Sequence, residues 1–295
     1  MRIVDQEAIE RHGAERFRSE FHYAKFEYWR SAKLLRYLTR ANITHLGSVL
    51  DDGCGGGGMS VSFAEEAVSV VAIDLADRFR GAGTRLAEEQ GGSKPRFSRA
   101  DGTALPFRDA SFDLIISHAV IEHIKDPGAY LREARRVLRP GGRLFLETAP
   151  YLSPSGAHLP RLRFPIPSHL LLGRRLAFQL SWWLARYAPG ALRGPLHSSS
   201  FLAQAMRGEP KVDDLYYLVT LRNLRRHINE AGFTMIREDL EISRLARRTL
   251  PEWLIQKIPH IPIARDILIT NMELSLIHIS EPTRPLYISY AVFCL

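Results

Sequence analysis

The sequence predicts an α/β fold: a doubly wound, mostly parallel seven-stranded sheet with a helical insertion after the fifth strand. Three observations carry that expectation. Short apolar runs alternate with amphipathic stretches between residues 48 and 148, the pattern of parallel strands joined by helices. A glycine cluster, Gly53 to Gly58, directly follows the first run. The alternation stops at Ala149 and gives way to a proline-broken segment, 151–208, that holds seven arginines and no Asp, Glu or Lys.

Residues 1–47 read as an N-terminal helical segment. Phe17, Phe21, Ala24, Tyr28, Ala32, Leu35 and Leu38 recur every three or four residues with basic residues between them, which marks one buried helix face. Such a helix either packs on the core or covers a bound ligand. Residues 48–150 read as the core. A first strand runs over 48–52, a helix follows the glycines to Ala67, and a second strand over 68–73 closes at Asp74. A polar helix covers 77–90. The third and fourth strands lie at 96–99 and 112–117, and Pro127 opens a helix to Leu138. Pro140-Gly141-Gly142 then turns the chain into the fifth strand at 143–148. Residues 151–215 form an arginine-rich cap, with 170–187 as an amphipathic helix containing Trp182 and Trp183. Residues 216–273 rejoin the core: a helix over 218–231 ends at Gly232, and strands follow at 233–239 and 267–272.

Residues 274–295, LSLIHISEPTRPLYISYAVFCL, stand apart. LSLIHISEPTR resembles the conceptual translation of a transposon-end adapter used in sequencing libraries. ISYAVFCL resembles the translated flow-cell end of the same design, in the correct order. The segment is therefore read as a non-native tail and excluded from functional reasoning. The natural chain is expected to continue differently beyond Glu273, and a chain ended there is expected to fold at least as well.

Composition bounds the function. The chain has 295 residues, 45% hydrophobic and 24% charged, which excludes wholesale disorder. Two cysteines, Cys54 and Cys294, cannot build a disulfide framework, so a reducing, cytoplasmic setting is expected. No run of about 18 apolar residues spans a bilayer, and the first residues lack a signal-peptide core. The net charge of +8 favours anionic partners. The arginine-rich segment suits a cap over an anionic, partly apolar acceptor, or peripheral contact with an anionic membrane surface. Nucleic acid is not expected, because no recognised binding module accompanies the charge.

Glycines between a strand and a helix let backbone N–H groups approach a ligand that a Cβ would block. The loop satisfies two templates: GxGxxG with Gly53, Gly55 and Gly58, and GxGxG with Gly53, Gly55 and Gly57. Asp74, at the end of the second strand, can accept ribose hydroxyls in either. Asp101-Gly102 after the third strand adds a carboxylate able to accept an adenine amino group. The run Ser111 to Ile124, SFDLIISHAVIEHI, surrounds the fourth strand, and Leu138 to Leu144, LRPGGRL, precedes the fifth.

This ordered set resembles the class I S-adenosylmethionine-dependent methyltransferases, with their Rossmann-like core, in the type 11-like group that includes quinone-pathway enzymes. The resemblance is close over about 48–150 and weak over 151–208. Asp52 departs from it, since the family usually has an apolar residue before the first glycine. The resemblance implies S-adenosyl-L-methionine as cofactor. It sets Asp51, Gly53, Gly55 and Gly57 against the methionine part, and Asp74 on the ribose. Leu75, Asp101 and Gly102 would hold the adenine, while Ser117 and His118 face the methionine end and the substrate.

Methyl transfer needs a base only where the acceptor must lose a proton. His118, Tyr151 and His158 are the candidates, Tyr151 and His158 because the stretch after the fifth strand commonly forms the acceptor pocket in this family. His123, paired with Glu122, reads as structural, Cys54 as packing, and no metal site is expected. The acceptor is expected to be a small-molecule, lipid-linked or sugar-derived compound methylated on O, N or C. Two rivals stay open. An NAD(P)-dependent oxidoreductase would lay a pyrophosphate on the glycine loop and leave Asp101 without a role. A non-catalytic S-adenosylmethionine-binding protein would keep the fold without turnover.

Overall fold

The computed structural model of the chain describes residues 4–92, 94–159, 162, 167–192 and 215–278. Seven strands, β1 (Ser48–Asp52), β2 (Ser69–Asp74), β3 (Arg96–Arg99), β4 (Phe112–His118), β5 (Leu138–Thr148), β6 (Thr234–Ile242) and β7 (Ile269–Ile277), form one sheet. Their order is β3-β2-β1-β4-β5-β7-β6. β1 to β5 pair in parallel, and β7 runs antiparallel between β5 and β6. The chain winds outward from β1 to β3, then returns to lay β4 on the other side of β1. The carboxyl ends of β1 and β4 therefore open a crevice at a topological switch point, where ligands bind in such sheets.

Both faces of the sheet are covered. Side chains alternate between faces along a strand, and β1 shows it: Leu50 joins the core under α5 (Pro127–Val137) and α7 (Leu221–Glu230), while adjacent Val49 joins the core under α2 (Glu20–Arg40) and α3 (Gly58–Phe63). The same switch separates Ile115 from Leu114 and Ile116 on β4.

The N-terminal stretch is two helices, not one. Ser19 Oγ accepts from the His22 backbone N–H at 3.3 Å and caps α2, so α1 (Gln6–Glu15) ends before it; a hydroxyl that satisfies an orphan N–H favours a new helix start. α4 (Arg78–Gln90) and α5 lie where the pattern put them, and Asp126 with Pro127 opens α5. α6 (Ser168–Tyr187) bends at Gly173, whose φ of 69° breaks the helical path. Thr220 and Asn223 form a capping box that starts α7 at Leu221, three residues later than periodicity alone suggests.

Two corrections fall in the last quarter. Residues 244–268 hold three short helices, α8 (Arg244–Thr249), α9 (Glu252–Ile255) and α10 (Pro262–Leu268), each too short to show a period and separated by prolines. β7 does not stop near the boundary drawn at Glu273. It continues to Ile277 because Leu274 and Leu276, both fully buried, fill the core between β5 and β6. Residues 279–295 of the tail lie outside the described residues, as do 193–214 of the cap.

Candidate active site

β1 ends in two buried acids. Asp51 Oδ2 accepts from Ser60 Oγ at 2.5 Å, and burial pushes its carboxyl up to about 7, with Ser60 pulling the other way. Asp52 is pushed up to about 7 by burial, opposed by a hydrogen bond from Tyr130. Its Oδ2 is buried without a partner. A Cβ on Gly102 would lie 2.9 Å from both Asp52 oxygens and 2.6 Å from the Tyr130 ring, so Gly102 is what lets the Asp101 loop close over β1.

A carboxyl whose folded pKa is raised keeps a proton that the unfolded chain has already lost. Stability therefore falls as pH rises from about 4 to about 7 and is level above. Asp51, Asp52 and Glu273, the last also raised to about 7 by burial, share that window. Asp52→Asn is expected to flatten this slope and to raise stability at pH 8 by about 1–3 kcal/mol, read from urea unfolding at several pH values. An unchanged slope would contradict the burial of an ionisable group there.

Beyond the acids, the loop turns through Gly53, Gly55 and Gly57 at φ of 86°, 54° and 79°. A Cβ on Gly58 would sit 2.1 Å from the Ala24 carbonyl oxygen, so α2 crosses directly over the loop. Asp74 ties the loop to β2: its Oδ2 accepts from Gly55 N–H and its Oδ1 from Ala76 N–H, both at 2.8 Å. Leu75 beside it is 59% exposed. Asp101 Oδ1 accepts from the N–H and hydroxyl of Thr103. Arg136 holds the following loop by donating to the Leu105 and Phe107 carbonyls. Cys54 is buried against Ala72 and Phe79, and burial raises its thiol above the ordinary range.

A cavity of about 720 Å³ opens past the ends of β4 and β5, lined among others by Arg30, His118, Glu122, Glu147, His158 and Asn271. His118, the last residue of β4, meets Glu147 of β5 at 3.0 Å through Nε2. Arg30 Nη2 lies 3.1 Å from the same nitrogen and 3.0 Å from Glu27. Asn271 of β7 donates to Glu147 Oε1 at 2.8 Å. Burial would raise Glu147, but His118 and Arg30 hold it at about 2. Burial lowers His118, and Glu147 outweighs it, so the imidazole sits above its ordinary value. One nitrogen cannot both donate to Glu147 and accept from Arg30. A neutral His118 that donates to Glu147 keeps its lone pair on Nδ1.

Across the cavity His158 Nε2 stands 3.6 Å from Glu122 Oε1, and Thr148 donates to Glu122 Oε2 at 2.9 Å. Burial raises Glu122, but the His158 imidazole beside it brings it below its usual range. Ligand atoms of Glu122, His123 and His158 lie within 4.8 Å of one another, a spacing at which the three could hold a metal ion. His158 has a φ of 51°.

The sequence-derived residues divide accordingly. His118 and His158 share the cavity, whereas Asp74, Asp101 and the glycine loop lie outside its walls, at the other side of the switch point. Tyr151 is not a wall: its carbonyl lies 2.9 Å from His169 Nε2 and its ring packs edge-on against His169. Ser117, fully buried, has its hydroxyl 2.8 Å from that of Tyr130; as the neighbour of His118 on a strand it points to the opposite face. Arg30, Glu147 and Asn271 escaped the sequence reading. Only Glu147 left a signal, a charge directly after the apolar run Leu144-Phe145-Leu146, where a buried carboxylate requires a partner.

Residues 50–146 match the model of a family described as a methyltransferase domain. A methyltransferase of Mycobacterium sp. (strain JLS) named as uncharacterized is 38% identical over 130 residues, 44% of this chain and 48% of that protein. A ubiquinone biosynthesis O-methyltransferase of Idiomarina loihiensis is 35% identical over 100 residues, 34% of this chain and 41% of its own. The chain thus spans about half the length, or less, of the curated relatives it matches. The crystal structure of the 4+2 cyclase SpnF superposes with a TM-score of 0.50 at 18% identity, covering 86% of this chain and 83% of that one; it shares the fold. The matched segment holds the glycine loop, Asp74 at the end of β2, Asp101 after β3, and His118, so residues 50–146 carry a methyltransferase domain.

Proposed function

We propose that the chain transfers the methyl group of S-adenosylmethionine to a nucleophilic atom of a small-molecule, lipid-linked or sugar-derived acceptor held in the 720 Å³ cavity. The observation that carries this reading is the position of His118. It ends β4 at the switch point, lines the cavity and is fixed by Glu147.

The residues present fit the cofactor. Asp74 uses two of about four lone-pair sites on its own loop, leaving two for ribose hydroxyls. Leu75 offers exposed apolar surface to an adenine, and the carboxylate of Asp101 is oriented by Thr103 to accept an amino group. Asp51 with Gly53, Gly55 and Gly57 takes the methionine end, and Gly102, by letting its loop close over Asp52 and Tyr130, sets Asp101 on the adenine side. When bound, the cofactor supplies a methyl group already activated on a sulfonium. The chain's own task is then positioning and proton removal. His118 takes the acceptor's proton on Nδ1, and the imidazolium formed is stabilised by Glu147. His158, held by Glu122, orients the acceptor. Tyr151 acts only through His169, which it anchors, and Ser117 supports the strand from its buried face.

The test is acceptor-dependent formation of S-adenosylhomocysteine with a panel of hydroxyl, amine and lipid-linked compounds. Turnover with at least one is expected. Cofactor binding without turnover on any of them would instead favour a binding protein, and NAD(H) binding in its place would favour an oxidoreductase.

A further inference from the structure

Exposed apolar side chains are concentrated in the two segments that follow β5 and β6. Among the described residues, Leu171, Leu172, Leu176, Trp183, Tyr187, Tyr216, Leu218, Trp253, Ile261 and Ile263 are exposed, whereas outside the segments that follow β5 and β6 only Tyr23, Val68 and Leu75 are. Register shows where these segments stand. Thr148 at the end of β5 pairs with Met272, and Ile242 at the end of β6 pairs with Ile269. Both strands thus release the chain at the sheet edge that carries the cavity. Pro167 and Ser168 at the start of α6, and Ser243, Arg244, Ile267 and Leu268 from the α8–α10 segment, line that same cavity.

The two segments also share a chemistry. After the bend at Gly173, Leu176, Leu180, Trp183 and Tyr187 follow a 4-3-4 spacing, which aligns them on one helix face. Trp183 is 54% and Tyr187 64% exposed. Arg175 and Arg186, both exposed, run along the neighbouring face at an eleven-residue spacing. On the other segment Trp253 and Ile263 are exposed, and the Lys257 ammonium lies 5.3 Å from the Trp253 ring. Its acids are Glu252 and Asp266, and Asp266 is buried where it accepts from Leu221 N–H. Basic residues beside exposed Trp, Tyr and Leu are what an anionic lipid surface holds: the rings and aliphatic chains enter the headgroup boundary and the cations meet lipid charge.

We propose that α6 and the α8–α10 segment form a docking face for an anionic lipid bilayer, which brings the cavity mouth to the membrane and makes an amphiphilic, lipid-anchored molecule its acceptor. The docking stands on the surface alone, and the acceptor class rests on the methyltransferase reading above. Flotation of the full chain with vesicles of phosphatidylcholine and phosphatidylglycerol in equal parts tests it, beside vesicles of phosphatidylcholine alone. Binding to the anionic vesicles is expected, with loss in 0.5 M salt, where screening shortens to about 4 Å. The double variant Leu176→Glu, Trp183→Glu is expected to bind at least about tenfold more weakly, and so is Arg175→Glu, Arg186→Glu. Cofactor affinity, measured by calorimetry on the same proteins, stays unchanged, which separates failure of the docking from failure of the cofactor reading. Equal binding to both vesicle types, no loss in the variants, or vesicle-independent self-association abolished by them would overturn the proposal; in the last case the face is an interface between copies of the chain.

Discussion

A chain ended at Glu273 is expected to lose cooperative folding, or to melt more than about 10 °C below a chain ended at His278. The difference is the last part of β7. Leu274, Ser275, Leu276 and Ile277 pair with Leu146, Phe145, Leu144 and Arg143 on one side and with β6 on the other. Leu274, Ser275 and Leu276 are fully buried. Removing a buried leucine side chain costs about 2–5 kcal/mol, against a total of about 5–15 kcal/mol for a domain. The two leucines alone thus approach the whole margin, before the sheet bonds of β5 and β6 are counted. This reverses the expectation drawn at the tail boundary. Whatever their origin, Leu-Ser-Leu-Ile alternates with a period of two and satisfies the strand. Thermal melts of the two proteins decide the matter, and equal midpoints would show that 274–278 add nothing to the fold.

His118→Ala is expected to lower acceptor turnover by about 10²–10⁴-fold while cofactor affinity holds. Glu147→Gln should fall between it and the unaltered chain, since it keeps the hydrogen-bonding shape and removes the charge. The pH profile distinguishes the roles. A base works when deprotonated, so activity climbs with pH through the His118 pKa, which Glu147 raises above the ordinary histidine value. Glu147→Gln removes that support and should move the rising limb to lower pH. A profile that stays in place, or a His118→Ala enzyme with full turnover, would take His118 out of the chemistry.

Residues 48–148 were legible because each signal there is local: strand runs, a glycine loop and acids at strand ends. The break at Ser19 was less visible, since one cap hydroxyl interrupts an otherwise continuous apolar period. α8 to α10 were invisible because helices of one to two turns carry no period. The cavity is the hardest case. Arg30, His118, Glu147, Ser243 and Asn271 come from five separate elements or their ends, and only sheet register brings them together. Arg30 in particular reads as one more solvated cation on an amphipathic helix until α2 is laid across the glycine loop.

Calorimetric titration of S-adenosylmethionine into the chain and its Asp74→Ala variant decides whether the carboxylate at the end of β2 holds the cofactor. Two hydroxyls on a carboxylate are charge-assisted bonds of about 1.5–3 kcal/mol each. Micromolar binding, weakened at least about tenfold by Asp74→Ala in protein that still unfolds cooperatively, is the predicted result. No binding of S-adenosylmethionine, or equal binding by both proteins, would contradict it.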